Sequence, residues 1–534
     1  MLPSRYPPAG SAGVAEGWTL KRCTPPSRLF GANGLRTGPD GRIYIAQVTG
    51  SQISALDIDT ADIETISAKG GDIIAPDDIA FGPNGELVAT EVMDGRVSVL
   101  SGSRATVLRD DVPSANGITF HQGRLFVGEC REGGRLLEFD LNGGPPRVLL
   151  QNVPSPNAME VGPDGLLYFP VMGANEIWRI DPDTTDGIAE KVAEGLGVPD
   201  SVKFDADGNI VSTQVHSGQV LRIDPRSGAQ TVLADLQPGL DNCTIADGRL
   251  FVSNFTGEIT EVLTGGGTRT VLPGGLNWPL DITFGADGKL YIADGTYFYA
   301  LRPGGVLETV GMLFSPGYPG FLRGLAPLAD GAFMVTTSGG QVARYRPADN
   351  ETDFLADGLD QLYGIAMAPD GTAVVAELGA GRVLAVAADG VSVLAAGLLD
   401  PVGVAIGPGG SVLVAESRAG RIISLGAGSA APETIVDGLD RPQGILVRDD
   451  ILYIVDAGQK TVIGVDLVTR DRYTIASGLP VGPPAGVVPK PLLGMPPFSG
   501  PQGPFAGIAA APDGTLFVSA DGDGSILTLH PPTP

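Results

Sequence analysis

The chain is 534 residues long with a formal net charge of −26, too long for a single ordinary core and too acidic to neutralise a phosphate backbone. Its 78 glycines and 44 prolines exceed a fifth of the residues, yet they fall between alternating apolar stretches and so read as periodic turns rather than low complexity. With no run of 18 apolar residues, no membrane span is expected; with no apolar leader and three scattered cysteines (Cys23, Cys130, Cys243), a reducing, cytoplasmic setting is expected.

Taken in order, the predicted elements are copies of one unit. GPDGRIYIAQ (38–47), GPNGELVATE (82–91), GPDGLLYFPV (162–171) and DADGNIVSTQ (205–214) are early copies; GADGKLYIAD (285–294), APDGTAVVAE (368–377), GPGGSVLVAE (407–416) and APDGTLFVSA (511–520) are later ones. Each is a strand, a tight Asp-Gly-type turn and a second strand. Marked by the turn residue, the copies fall at Gly41, Gly85, Gly123, Gly165, Gly208, Gly248, Gly288, Gly331, Gly371, Gly410, a degenerate Asp450, and Gly514. A fixed period near forty residues signals a repeat architecture, and a hairpin followed by a further strand pair is a propeller blade. The one stretch with helical spacing, 185–196, falls where an outer strand belongs.

Twelve four-stranded blades exceed the usual four to eight per ring, so the chain is predicted to be all-β, with two tandem six-bladed β-propellers over 24–273 and 274–534. The twelfth blade runs out of chain after three strands. WTLKRC (18–23) resembles an outer strand and is expected to complete it, covering an otherwise open edge. The extra length before the last turn is a Pro/Gly-rich insertion, 478–505, expected over the second ring's mouth as a lid, spacer or protein-partner site.

Innermost strands line the channel of a propeller, and the residue opening each one faces its mouth. Counting eight positions back from the turn glycine, with allowance for deletions, gives Asn33, Asp77, Asn116, Asn157, Asp200 and Asn242 in the first ring. The second ring gives Leu280, Arg323, Tyr363, Val402, Gln443 and Ala506. Six oxygen donors, two of them anionic, suit a hard cation: calcium takes six to eight oxygens at roughly 2.3–2.6 Å. Zinc lacks the His and Cys ligands it prefers. On the same face, loops between second and third strands are expected to present Glu91, Glu129, His216 and Asn254, with His216 a candidate proton shuttle.

SANGITF (114–120), SPNAMEVGPDGLLYF (155–169) and VPDSVKFDADGNI (198–210) give the first half a resemblance to the six-bladed calcium-dependent hydrolases that include gluconolactonase/regucalcin, diisopropylfluorophosphatase and paraoxonase. The second half resembles generic NHL/SMP-30-type repeats. The first resemblance implies a catalytic metal held by Asn116, Asn157 and Asp200. Read from position alone, Asp200 is the leading catalytic carboxylate, with the loop residues Glu129 and His216 behind it. Asn33 stands where that family has a Glu, removing one anionic ligand, which Asp77 or Asp78 would restore. The expected activity is hydrolysis of a lactone or ester of a small organic substrate. The alternatives are a non-catalytic interaction scaffold, or a lyase, isomerase or cyclase using the same mouth.

Overall fold

The computed structural model describes residues 3–6, 12–102, 104–141, 144–184, 187–426 and 432–532. It is all-β, with helix confined to the short turns Met172–Ala174 and Pro408–Gly410. Twelve antiparallel sheets follow one another along the chain, eleven of four strands and one of five. Each is one predicted blade. Glu190–Ala193, within the stretch of helical spacing, is an outer strand: three other strands of its blade supply hydrogen-bond partners that an isolated helix turn would lack. The chain divides into two compact units, one of residues 29–275 with 488–495, the other of 1–28, 276–487 and 496–534. They are called here the N- and C-terminal propellers.

In the N-terminal propeller, apolar side chains of each blade pack against the next. Blades one and two share Ile53, Ile79 and Ala89, blades two and three share Val97, Ile118 and Val127, and blades five and six share Val220, Val252 and Val262. Leu35, Ile43 and Ile45 of blade one meet Phe251 and Ile259 of blade six, which closes the ring. Burial of each such side chain contributes roughly 1.5–3 kcal/mol.

At the innermost strands the backbones themselves meet. The Gly34 N–H donates to the Asp77 carbonyl at 2.7 Å, and a Cβ at Gly34 would lie 2.5 Å from that oxygen. Gly117, one residue past Asn116, approaches the Asn157 carbonyl in the same manner. Glycine after Asn33 and after Asn116 is what lets the neighbouring strand come this close.

The C-terminal propeller is closed by its first residues. Thr19–Arg22 pairs antiparallel with Ser525–His530, Leu20 facing Leu529, and makes the fourth strand of blade twelve. Just before it, Gly13–Val14 adds a fifth strand to blade eleven by pairing with Ser477 and Ala476. Trp18 and Leu20 pack against Leu527 and Leu529. Arg5 is buried in the same unit, its guanidinium donating to the carbonyls of Leu276 (3.3 Å), Asn277 and Asp521. Among the described residues, no helix is long and apolar enough to cross a membrane.

Candidate functional site

The predicted mouth residues of the N-terminal propeller converge, with one exception. Asn33 donates an amide N–H to the Asp241 carboxylate at 3.0 Å, and Asn157 donates to Asp200 at 2.9 Å. The Asn116 amide hydrogen-bonds the Asp77 carboxylate. Asn116, Asn157, Asp200 and Asp241 are buried, whereas Asn33 and Asp77 are partly exposed, so the ring meets solvent on their side.

The exception is Asn242. Its backbone N–H donates to Ser253 Oγ at 2.9 Å, as that of Asp78 donates to Thr90 Oγ1 and that of Gly324 to Thr336 Oγ1. It therefore occupies the position after the mouth residue, and its Oδ1 accepts the Cys243 N–H at 2.8 Å. The mouth residue of blade six is Asp241, whose carbonyl accepts from Thr213 of the preceding blade as the Asn33 carbonyl accepts from Ser253. The physical reason is the turn. Blades three and six close their inner hairpins with two left-handed residues, Gln122-Gly123 and Asp247-Gly248, a tight connection one residue shorter than the Pro-Asp-Gly form. Counting back seven rather than eight lands on Asn116 and Asp241. The ring is thus three amides and three carboxylates.

Crowded carboxylates in a dry site resist ionisation. Burial, reinforced by the neighbouring Asp78 charge, pushes Asp77 up to about 7. Burial first, then the charges of Asp77 and its neighbours, hold Asp200 and Asp241 well above the usual carboxylate range. Asp78 is spent differently: its oxygens accept the N–H groups of Ile79 (2.8 Å) and Ile118 (3.2 Å), and Arg36 lies 3.9 Å away. Below the ring, Arg36 donates to Glu160 (2.8 Å) and to the Ile79 and Ile118 carbonyls, and Lys203 lies 3.1 Å from Glu160. These cations serve Asp78 and Glu160, leaving the upper three carboxylates with amide donors alone.

The loop residues do not join the ring. Glu129 is fully buried, and its oxygens accept from the Arg135 backbone (3.1 Å) and from the guanidinium groups of Arg135 and Arg131. Glu91 likewise binds the Ile74 N–H, Arg96 and Ser98. In the C-terminal propeller Glu377 and Glu416 accept the Asp360 and Leu399 N–H groups and pair with Arg382 and Arg421. An acid here ties its own blade's loops together, and Glu129 is engaged in that role. His216 is exposed in its loop. The Asn254 amide donates to the carbonyls of Gln237 and Pro238. Cys130 is buried beside the ring, and burial pushes its thiol far up, away from thiolate chemistry.

This donor set is short of positive charge. Asn116 Oδ1 is buried with no hydrogen-bond partner, and three carboxylates share a site without a facing positive charge. Asn157 Oδ1 accepts the Ala158 N–H at 2.8 Å, but that N–H also reaches the Asp200 carbonyl at 3.1 Å, so the amide is free to turn without orphaning it. Among the described residues no group of three or more Asp, Glu, His or Cys is placed to hold a metal ion; any coordination here would have to rest largely on amide oxygens.

The C-terminal mouth is of another kind, with Leu280, Arg323, Tyr363, Val402, Gln443 and Ala506. Two carboxyls here, half-buried Asp281 and buried Asp294, are pushed up to about 7 by desolvation, against backbone N–H donors that favour the charged form. Such groups stabilise the fold while protonated, and that contribution is lost as pH rises through about 7. We expect the C-terminal propeller to melt roughly 3 °C or more lower at pH 8 than at pH 5.5 in calorimetry, and Asp281→Asn to shrink the difference. A midpoint rising with pH across that window contradicts the assignment.

Residues 19–254 match the family model described as SMP-30/Gluconolactonase/LRE-like region, which bears out the resemblance over the N-terminal propeller. No curated protein matches the chain. A streptogramin B lyase structure is similar at 19% identity, covering 52% of this chain and 96% of its own, with a TM-score of 0.38. A structure provisionally named a gluconolactonase gives 16%, 49%, 95% and 0.38. A nidogen/laminin complex gives 20%, 39%, 80% and 0.35.

Proposed function

We propose, from an N-terminal propeller that matches the SMP-30/gluconolactonase/LRE-like family, that this protein is a calcium-dependent hydrolase of lactonase or esterase type. One observation carries the reading: three amides and three carboxylates converge on a mouth open to solvent at Asn33 and Asp77. The buried, unpartnered Asn116 Oδ1 and the raised carboxyls of Asp200 and Asp241 indicate a ring short of positive charge. Asn116, Asn157, Asp200 and Asp241 would hold the ion, Asp241 supplying the charge that Asn33 lacks. When bound, the ion supplies Lewis-acid polarisation of the substrate carbonyl.

The remaining work falls to the chain itself. A ring carboxylate facing the mouth accepts the proton of the attacking water, a role that suits a carboxyl lifted toward neutrality. Asn33 and Asn157 orient Asp241 and Asp200 through their amide donors. The Arg36–Glu160–Lys203 cluster, packed among the inner strands, holds the floor of the site. His216 lies in solvent and is assigned no step.

In a pH-stat assay on γ- and δ-lactones and aryl esters, we expect turnover with calcium that stops on chelation and returns on calcium addition. Asp200→Asn should lower kcat/KM about a hundredfold, a loss of roughly 2.7 kcal/mol. No acid release from any lactone or ester with calcium present rejects the hydrolase. Calcium binding without turnover would favour an elimination or isomerisation in the same mouth.

A further inference from the structure

The C-terminal mouth holds a cation that makes no ion pair among the described residues. Arg323 opens the inner strand of blade eight and is 1% exposed. Its Nη2 donates to the Gly503 carbonyl, while Nε and Nη1 are buried without an acceptor. Arg323 interacts electrostatically with the Tyr363 hydroxyl, which also hydrogen-bonds it, and then with Asp281, whose oxygens already accept the N–H groups of Ile282 (3.0 Å) and Leu325 (2.9 Å). The guanidinium lies over the Tyr363 ring at 4.4 Å and over Trp278 at 5.4 Å. Aromatic faces recover only a part of what burying an unpaired charge costs. A protein that keeps such a group has a use for it.

A second observation comes from the insertion. Its end is seated on this mouth: Phe505 packs edge-on against Tyr363, Phe498 packs against Phe314, and Gln443 accepts the Ala506 N–H at 2.7 Å. Between them, Gln502 is 3% exposed, with both amide atoms lacking a partner. Buried amides and guanidinium nitrogens are almost always satisfied in a folded chain. Here an arginine and a glutamine on converging segments are both left open.

We infer that the mouth of the C-terminal propeller, beneath the 498–505 segment, binds a small organic acid carrying a hydroxyl or amide group beside its carboxylate. The carboxylate supplies acceptors to Arg323 Nε and Nη1. The hydroxyl or amide both donates and accepts, which matches the two open ends of Gln502. Tyr363 and Trp278 cover the carbon skeleton.

The test is calorimetric titration of the full-length protein with malate, gluconate and inorganic phosphate. Malate or gluconate should bind at sub-millimolar concentration and raise the C-terminal melting midpoint, with phosphate weaker by about tenfold or more. Arg323→Met should weaken binding at least about tenfold, from the loss of two charge-assisted hydrogen bonds. It should not lower the ligand-free midpoint, because it removes an unpaired charge. Gln502→Ala, a change in the insertion, should weaken binding severalfold and leave that midpoint unmoved. The inference is overturned if neither acid binds, if phosphate binds best, or if both variants bind as the parent does.

Discussion

Calcium affinity of the full-length protein is expected to fall at least about a hundredfold on Asp241→Asn and to be unchanged on Asn242→Ala. Asp241 lies in the ring, held by Asn33 at 3.0 Å and raised by burial and by Asp200. Its removal takes one of the two anionic members, Asp200 and Asp241, from the proposed ligand set. A hundredfold is about 2.7 kcal/mol, modest beside the roughly 4 kcal/mol of a unit pair at 4 Å in a partly screened site. Asn242 turns its Oδ1 to the Cys243 N–H, so its loss should lower stability by about 1 kcal/mol and leave the ion alone. Calorimetry with calcium on the two variants decides the matter. Equal affinity in Asp241→Asn and the parent sinks the proposed ligand set.

Deleting residues 1–23 is expected to loosen the C-terminal propeller and spare the N-terminal one. The deletion uncovers the Ser525–His530 edge, strips Trp18 and Leu20 from Leu527 and Leu529, and removes Arg5 from the carbonyls it binds. Lost burial and pairing amount to about 3–6 kcal/mol, a large share of a domain's net stability. Hydrogen exchange should show protection falling in 516–530 and 472–477 while 29–275 keeps its rates. Loss confined to 29–275 would mean that the arm serves the other ring.

Architecture was legible because it rests on local chemistry. Asp-Gly and Asn-Gly turns need left-handed backbone, and Gly41, Gly85, Gly165 and Gly208 all show it, with φ between 79° and 84°. Period and polarity then gave the blades and five of the six mouth residues. Asp241 was missed because the mouth was counted from the turn, and a two-residue turn moves the count by one. The signal was present: blade three, with the same short turn, already required seven. Glu129 stands at a position that recurs in both rings, and the recurrence reports loop fastening, seen in its bonds to Arg135 and Arg131. The openness of Arg323 and Gln502 was not readable at all, since a missing partner is a property of packing.

The arm that closes the C-terminal propeller has a consequence for biosynthesis. Gly13–Val14 and Thr19–Arg22 leave the ribosome hundreds of residues before their partners, Arg472–Ser477 and Ser525–His530. At roughly 5–20 residues per second the wait is on the order of half a minute or more, during which the intervening ring has all its own strands and can fold. The nascent arm must stay unpaired through that interval. A factor that shields short extended segments during translation would raise the yield of this protein more than its equilibrium stability suggests.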